Sequence, residues 1–296
     1  MSHNHHHHRH DSTGNIRIAF FLNISFALLE LAGGLWTNSM AILSDALHDL
    51  GDAFSLGLAW FFDNHSKKSR DHKYSFGYRR FSLLGALVNS LVLILGSLFI
   101  LSKAIPRLWN PETSNAAGMA LFAIVGIAVN GAAVLRVKGG KSLNERLVAW
   151  HLLEDVLGWA AVLAVSIVLL FKDVKILDPL LSVVITLYVL YNVAKNFRKT
   201  VNLFLQGVPE EVDITSLEAA ILSMANVDSV HHTHVWSLDG AHHVLTTHVV
   251  VENGTPRAEI VNLKCAIGEL AENLDIEHTT IEVEHMGESC NLREGA

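Results

Sequence analysis

Charged residues are scarce in this chain, and they are unevenly spread. Asp, Glu, Lys and Arg make up 17% of the 296 residues, whereas 50% are hydrophobic and the mean hydropathy is +0.33. Ordinary soluble domains have about 25% charged residues, so the composition favours a membrane protein. Only after Leu203 does the pattern change to that of a soluble domain.

Cysteine is nearly absent, and a common zinc-enzyme motif is missing. Cys265 and Cys290 form no CxxC pair, and a cytoplasmic domain would keep both reduced. The absence of HExxH argues against a membrane metalloenzyme, so we do not expect an enzyme. A net charge of −7, with basic residues at membrane edges, argues against a nucleic-acid partner.

Six apolar stretches are each long enough to cross a lipid bilayer, which takes about 20 helical residues. No small-residue cleavage site follows the first, so we expect it to remain in the mature protein. Residues 16–200 are therefore predicted to form a six-helix transmembrane domain. The expected spans are Ile16 to Trp36, Met40 to Phe62, Phe81 to Ile105, Ala116 to Val137, Leu147 to Phe171 and Ile176 to Val193.

The distribution of Lys and Arg predicts the orientation of these spans. The connections between spans two and three and between four and five are rich in basic residues, as is the segment after span six. The opposite side has only Lys103, Arg107, Lys172 and Lys175. By the positive-inside rule, both termini are expected in the cytoplasm.

Two predicted spans carry the same polar pair, His48 with Asp52 and His151 with Asp155. A carboxylate at the centre of a spanning helix costs about 2.5–3.5 kcal/mol, so such groups usually mark an ion or substrate path. Residues at i and i+4 share one helix face. Two such faces, opposed, offer two imidazoles and two carboxylates, a set that suits tetrahedral Zn²⁺.

Other interpretations of these spans remain open. A lone His on an apolar helix face is more often a hydrogen-bonded core residue than a ligand, but the repeated pairing with Asp reverses that preference. Asp45 and Asp49 also form an i, i+4 pair, on a neighbouring face. The spacing alone leaves open which of the two pairs on this helix faces an ion path.

Residues 209–286 have the pattern of a small α+β domain. A helix is predicted from about Pro209, followed by two strands around a turn at Asp239 and Gly240, a helix from Pro256 to Asn273, and a closing β-branched strand. The order αββαβ predicts two layers, with the helices on one face of the sheet. We expect a linker at 201–208 and a flexible tail at 287–296, and dimerisation suits so small a domain.

Histidine is concentrated at both ends of the chain. The first 15 residues include a histidine run that is either a purification tag or a native metal-gathering cytoplasmic tail. Asn4 and Arg9 interrupt the run, which favours the native tail. In the α+β domain, strict alternation would put His232 and His234 on one strand face and His231 on the other, so they could not all bind one ion. We predict at least one metal site there.

Taken together, these motifs resemble the cation diffusion facilitator family, in particular its bacterial zinc-type efflux members. The resemblance rests on the His-rich start, six spans, HxxxD in the second and fifth, SFGYRR before the third, and VHHTHVWSLDG with HTTIEVE in the soluble domain. It implies a six-helix bundle with a cytoplasmic metallochaperone-like domain. It also implies a homodimer in the bacterial inner membrane that exchanges metal ions for protons.

The resemblance also assigns sites. The transport site maps onto His48, Asp52, His151 and Asp155. The register of the family implies a place near the pore for Asp45 and leaves the role of Asp49 undecided. Some members have a further site in the loop after span two, but here Tyr74 and Tyr78 replace its imidazoles beside Asp71, so we expect that site to be absent. The remaining alternative is a weak substitute site formed by His65 and His72. Cys290 in the tail is either a further thiolate ligand or, as we favour, an inert reduced cysteine. The positions that resemble metal ligands of the cytoplasmic domain are His231, His248, His278, Glu282 and Glu284.

Mixed N/O ligation favours Zn²⁺ and tolerates Cd²⁺ or Co²⁺. Because metal binding requires deprotonated ligands, we expect protons to displace the ion during transport. Besides the membrane metalloenzyme, a non-transporting metal sensor built on the same frame is a second alternative to a carrier.

Overall fold

The computed structural model describes residues 11–66, 70–137 and 143–290. The histidine run within residues 1–10 and the basic residues Lys67, Lys68, Lys138 and Lys141 lie outside these ranges, as do residues 291–296. The chain divides into two compact units. The first comprises residues up to 62 together with 85–197, and the second comprises 63–84 together with the chain from 198 onward.

Within the described ranges, six long helices in the predicted order carry the apolar part of the chain. Among the described residues, five are long and apolar enough to cross a membrane. The exception is α2, whose apolar character is interrupted by Asp45, Asp49 and Asp52. The predicted helical membrane fold is confirmed. The helices are α1 (Asp11–Thr37), α2 (Met40–Ser66), α3 (Phe81–Trp109), α4 (Ala116–Val137), α5 (Leu143–Phe171) and α6 (Leu177–Phe204).

Helix α2 is fixed at its N-terminus by a carboxylate from α6. Asp178, which is 2% exposed, accepts hydrogen bonds from the Ser39 hydroxyl at 2.5 Å and from the Met40 backbone N–H at 2.8 Å. A carboxylate there satisfies N–H groups that have no partner within the helix and complements the helix dipole. This contact therefore orients the helix that carries His48 and Asp52.

Small residues bring the helices of the first unit close together. A Cβ added to Gly51 of α2 would lie 2.1 Å from the Leu93 side chain of α3, and one at Gly126 of α4 would lie 2.3 Å from the Trp159 ring of α5. Trp159 is 1% exposed and packs with Ile42 of α2 and with α4. Because interiors are close-packed, this cluster fixes α2 and α5 near their His–Asp pairs.

The C-terminal part is a two-layer α+β domain, which confirms the predicted order αββαβ. Its elements are α7 (Ile214–Leu222), β1 (Val227–Ser237), β2 (His243–Val251), α8 (Arg257–Glu272) and β3 (Ile276–His285). Strand β2 is central, antiparallel to β1 and parallel to β3, with α8 as the crossover helix. Leu245, Val249 and Val251 of β2 pack on apolar residues of both helices, so the helices cover one face of the sheet.

One local prediction for this domain was confirmed and another was wrong. The β1–β2 connection spans Leu238 to His242 and contains the predicted turn residues Asp239 and Gly240, of which Gly240 has a positive φ of 98°. Strand β1, however, contains a bulge between His231 and His234, where His232 has φ 52°. A bulge inserts an extra residue and re-aims side chains, so strict alternation fails among these histidines.

Candidate metal sites

The two His–Asp pairs of α2 and α5 meet in the first unit. Asp52 Oδ2 lies 3.7 Å from His48 Nε2 on its own helix and 2.9 Å from His151 Nε2 on α5. His48, His151 and Asp155 each offer a ligand atom within 4.8 Å of the others. The imidazole rings have centroids 5.9 Å apart. Two imidazoles and two carboxylates therefore lie at one place, as tetrahedral zinc coordination requires.

Three further carboxyl groups surround this set. Glu30 of α1 is fully buried and lies against Asp49. Asp45 is 8% exposed, and its Oδ1 lies 3.8 Å from where a Cβ of Gly158 on α5 would be. Asp45 is thus buried next to α5, and its place near the pore stays a prediction. The spacing of the α2 aspartates could not reveal the Glu30–Asp49 contact, because α1 and α2 are separate helices.

In the C-terminal domain, strand pairing builds a second cluster. His231 of β1 is paired with His248 of β2, which is paired in turn with Glu282 of β3. Side chains directly opposite one another in adjacent strands have Cβ atoms about 4.5–5.5 Å apart. Glu284 lies two residues further along β3, on the same face as Glu282. The register of three strands thus brings together four of the five residues assigned by resemblance.

The distances in this cluster suit a metal ion. Glu284 Oε1 lies 2.7 Å from His248 Nδ1 and 3.5 Å from His231 Nε2. His248 Nε2 lies 3.5 Å from Glu282 Oε2, but the Glu282 side chain is 65% exposed. His231, His248, Glu284 and Cys290 form a group whose ligand atoms all lie within 4.8 Å of one another. Glu282 is thus a peripheral member.

Cys290 is the residue that sequence reasoning undervalued. Its Sγ lies 3.7 Å from His248 Nδ1, although it was expected to be inert in the tail. Its position comes from the path of the chain after β3, and a lone Cys in the sequence carries no signal of that path. A thiolate would add a soft ligand to this cluster.

Electrostatics favour metal binding in the cluster. Burial raises the pKa of Glu284, but hydrogen bonds from His248 and Cys290 and the charge of His231 outweigh it, so the pKa lies below its ordinary value. Burial lowers the pKa of the neighbouring His232, and the nearby imidazoles of His234 and His248 lower it further. Glu284 is thus ionised and His232 neutral at pH 7, the protonation states that metal ligands need.

The bulge in β1 adds histidines around this cluster. The rings of His231 and His232 both have centroids 5.2 Å from that of His248. His232 Nε2 also lies 3.3 Å from His234 Nε2. The predicted separation of His231 from His232 on opposite faces is therefore wrong, because the positive φ of His232 turns its side chain.

His278 lies apart from the other C-terminal candidates. Its ring packs against Phe76 of the loop between α2 and α3, with centroids 5.6 Å apart. In the same loop, the Tyr78 hydroxyl donates a 2.6 Å hydrogen bond to Asp71 Oδ2. A tyrosine hydroxyl thus satisfies one oxygen of the Asp71 carboxylate.

The chain matches two family models over nearly its whole length. Residues 16–205 match the cation efflux transmembrane domain, and residues 209–286 match the cation efflux protein cytoplasmic domain. The chain belongs to the cation efflux family. This confirms the resemblance to the cation diffusion facilitators, a family of membrane transporters of metal cations rather than a class of enzymes.

Several curated relatives of this family are similar from end to end. The cadmium, cobalt and zinc/H(+)-K(+) antiporter of Bacillus subtilis is 32% identical over 96% of this chain and 92% of its own length. The metal cation efflux system protein CzcD of Cupriavidus metallidurans is 34% identical, over 93% and 89% respectively. The zinc transporter ZitB of Escherichia coli is 31% identical over 99% of this chain and 96% of its own length.

Proposed function

We propose that this cation efflux protein exports Zn²⁺ from the cytoplasm of a bacterium in exchange for protons. The transport site is formed by His48, Asp52, His151 and Asp155 and is exposed to the two sides of the inner membrane in turn. The observation that supports this most directly is the meeting of two imidazoles and two carboxylates from α2 and α5. Both termini lie in the cytoplasm, as the basic connections favour.

Proton exchange follows from the chemistry of the ligands. A metal ion binds carboxylates and neutral imidazoles, so loading the site and losing protons occur at the same atoms. Histidine has an ordinary pKa of about 6.5. Open to a near-neutral cytoplasm, the site loads zinc. Open to a more acidic exterior, it takes up protons and releases the ion.

The membrane potential opposes the export of a divalent cation, and the inward return of protons lowers this electrical cost. Moving two positive charges outward against about 100 mV costs roughly 4.6 kcal/mol, and the return of one proton halves that cost. We therefore expect at least one proton per ion. The names of the relatives specify zinc, cadmium and cobalt, and mixed N/O ligation suits the same metals.

Zinc also has a second role, as a regulatory ligand that binds the C-terminal domain. The cluster of His231, His248, Glu284 and Cys290 binds the ion, with Glu282 at its edge. The protein acts as a homodimer, and metal in this domain shifts the dimer toward the arrangement competent for transport. A ligand shifts such an equilibrium by as much as its affinities for the two arrangements differ.

Zinc uptake into proteoliposomes with an imposed pH gradient tests the transport function. We expect proteoliposomes that contain the purified protein to accumulate zinc when the lumen is acidic. Zinc accumulation should stop when an ionophore collapses the pH gradient. Asp155→Asn should be inactive, whereas Asp173→Asn, at a carboxylate whose side chain is 77% exposed between α5 and α6, should match the wild type. A rate of zinc uptake that does not depend on the pH gradient would contradict proton exchange. Zinc binding without uptake would favour the sensor.

A further inference from the structure

Glu30 is an acidic residue on the buried face of α1. The buried positions Ala27, Glu30, Gly34 and Thr37 follow helical spacing, so the Glu30 side chain points into the helix bundle. Glu30 is 0% exposed, and no hydrogen-bond donor among the residues that the structure describes contacts either of its carboxyl oxygens. A buried carboxylate without donors is costly, so its charge has to be removed or compensated.

Close packing of α1 on α2 fixes the level at which Glu30 lies. The two helices are joined by a two-residue connection and therefore run antiparallel. A Cβ added to Gly34 of α1 would lie 2.8 Å from the Leu43 side chain of α2, so the helices touch there. Four residues back from Gly34 on α1 and four residues forward from Leu43 on α2, Glu30 lies opposite position 47, between Asp45 and Asp49.

Glu30 and Asp49 have carboxyl groups within hydrogen-bonding reach of each other. Two ionised carboxylates are both acceptors and repel each other, whereas a protonated one donates its O–H to the other. Glu30 is fully buried and Asp49 only half-buried. Because burial penalises the charged form, this pair favours a proton on Glu30, which donates to Asp49.

The other charged groups around Glu30 do not neutralise it. Asp45 of α2 and Asp155 of α5 both repel a negative charge on Glu30, and the metal ligand His48 lies three residues beyond Asp45. Helix α2 contains no Lys or Arg. Helix α4, which also packs against α1, has Arg136 as its one charged residue, in the last turn. Within these helices, a proton is therefore the simplest compensation for Glu30.

We propose that Glu30 is a proton-binding site separate from the four metal ligands, and that its proton is exchanged for zinc in addition to a proton bound by those ligands. When Zn²⁺ loads the site, its positive charge favours ionised carboxyl groups nearby. The O–H bond of Glu30 then breaks, the electron pair stays on the carboxylate oxygen, and the proton leaves to water on the cytoplasmic side. After zinc is released, a proton from the exterior forms the O–H bond again.

The proton of Glu30 changes the net charge that moves in each transport cycle. One proton from the ligands and one from Glu30 together balance the two charges of Zn²⁺, so the membrane potential no longer opposes export. With the ligand proton alone, each cycle would move one net positive charge outward. This inference rests on the proposed exchange of zinc for protons.

The number of protons exchanged per zinc ion tests the inference. Zinc uptake and luminal pH would be measured together in proteoliposomes. We expect about two protons per zinc for the wild type and one fewer for Glu30→Gln, which cannot ionise. Glu30→Asp keeps a carboxyl group and should keep the wild-type ratio, as should the control Glu154→Gln, at an exposed carboxylate of α5. An imposed membrane potential should also change uptake more strongly in Glu30→Gln than in the wild type.

A binding measurement tests Glu30→Gln even if this variant does not transport. Zinc would be added at saturation to purified full-length protein in weakly buffered detergent solution, and bound zinc and released protons would be counted. The C-terminal cluster releases the same number of protons in both proteins, so the wild type should release one proton more than Glu30→Gln. Equal release would overturn the inference. Loss of one bound zinc in Glu30→Gln would also overturn it, because the Gln amide is uncharged like the protonated carboxyl group.

Failure of the inference and failure of the proposed function are distinguishable. If the wild type takes up zinc without proton movement, or does not take up zinc, the proposed function fails. If the wild type exchanges one proton per zinc, or if Glu30→Gln transports with the wild-type ratio, zinc–proton exchange stands and Glu30 carries no exchanged proton.

Discussion

The two candidate metal clusters of this protein are assembled in different ways. In the first unit, each helix contributes one His and one Asp four residues apart, so the spacing within a single element already shows half of the site. In the C-terminal domain, His231, His248 and Glu284 come from three strands and meet through strand register. Cys290 joins them only because the chain returns after β3. A helical site is thus visible in sequence, whereas a sheet site depends on pairing that sequence does not specify.

The difference also concerns chemistry. The helical cluster has nitrogen and oxygen ligands only, in a setting where every carboxylate is costly. The sheet cluster adds a sulfur atom, and the ring of the half-buried His232 lies 5.2 Å from that of His248. We expect the first to bind its ion reversibly in step with protons, and the second to hold its ion longer.

Removal of a transport-site carboxylate should have the largest effect. Asp52 lies between both imidazoles, so Asp52→Asn removes a ligand and its charge. Loss of a residue that merely supports a ligand costs about 10–100-fold, and we expect zinc transport to fall at least about 100-fold. Glu282→Gln, at the edge of the sheet cluster, should retain transport at saturating zinc. Equal losses in the two variants would remove the functional distinction between the clusters.

The helical site could be predicted from the sequence because its period is local. His48, Asp52, His151 and Asp155 share faces by spacing alone, and polar side chains in apolar helices stand out. The order of elements in the C-terminal domain was predictable from its periodicity for the same reason. The contact between Glu30 and Asp49 depends on how two helices pack, which no spacing within one helix encodes.

The sheet site was only partly predictable because a single residue changed the pattern. The positive φ of His232 creates a bulge, and a one-residue shift moves side chains to the other face of a sheet. The packing of His278 against Phe76 joins segments that are far apart in sequence. These outcomes follow from tertiary contacts, and a strict two-residue period does not contain them.

A change of ligand type in the helical site should alter metal preference. His48→Asp replaces a borderline nitrogen with a hard oxygen, which favours ions such as Mn²⁺. In competition assays of uptake, we expect the preference for Zn²⁺ over Mn²⁺ to fall about tenfold. The corresponding exchange in the other cluster, His231→Asp, should leave the selectivity of transport unchanged. An unchanged preference in His48→Asp would contradict its role as a ligand.

A smaller effect should distinguish the sulfur ligand of the sheet cluster. Cys290→Ser removes a soft donor, and we expect Cd²⁺ affinity at this cluster to fall about tenfold and Zn²⁺ affinity to fall less. Binding would be titrated on the full chain with His151→Ala as background. Cys265→Ser, at the exposed cysteine of α8, is the matched control. If both serine variants bind cadmium equally well, Cys290 is no ligand.

The smallest effect concerns pH and stability. The pKa of Glu284 is lowered in the folded domain, so its ionised form stabilises the fold above its ordinary pKa, and this contribution disappears as pH falls through the folded value. Glu284→Gln should lower the metal-free melting temperature by about 2–4 °C at pH 7 and by less at low pH. The exposed Glu252→Gln is the control. If the melting-temperature difference between Glu284→Gln and the wild type does not change with pH, the effect does not come from ionisation of Glu284.

Metal-stimulated proton flux tests the central claim most directly. Zinc would be added to proteoliposomes containing a luminal pH indicator, with the wild type compared to Asp155→Ala. If the four side chains of α2 and α5 bind zinc in exchange for protons, the wild type should export at least one proton from the lumen per zinc ion taken up, and Asp155→Ala should show neither flux. Zinc uptake without proton movement in the wild type, or full proton exchange in Asp155→Ala, would contradict it.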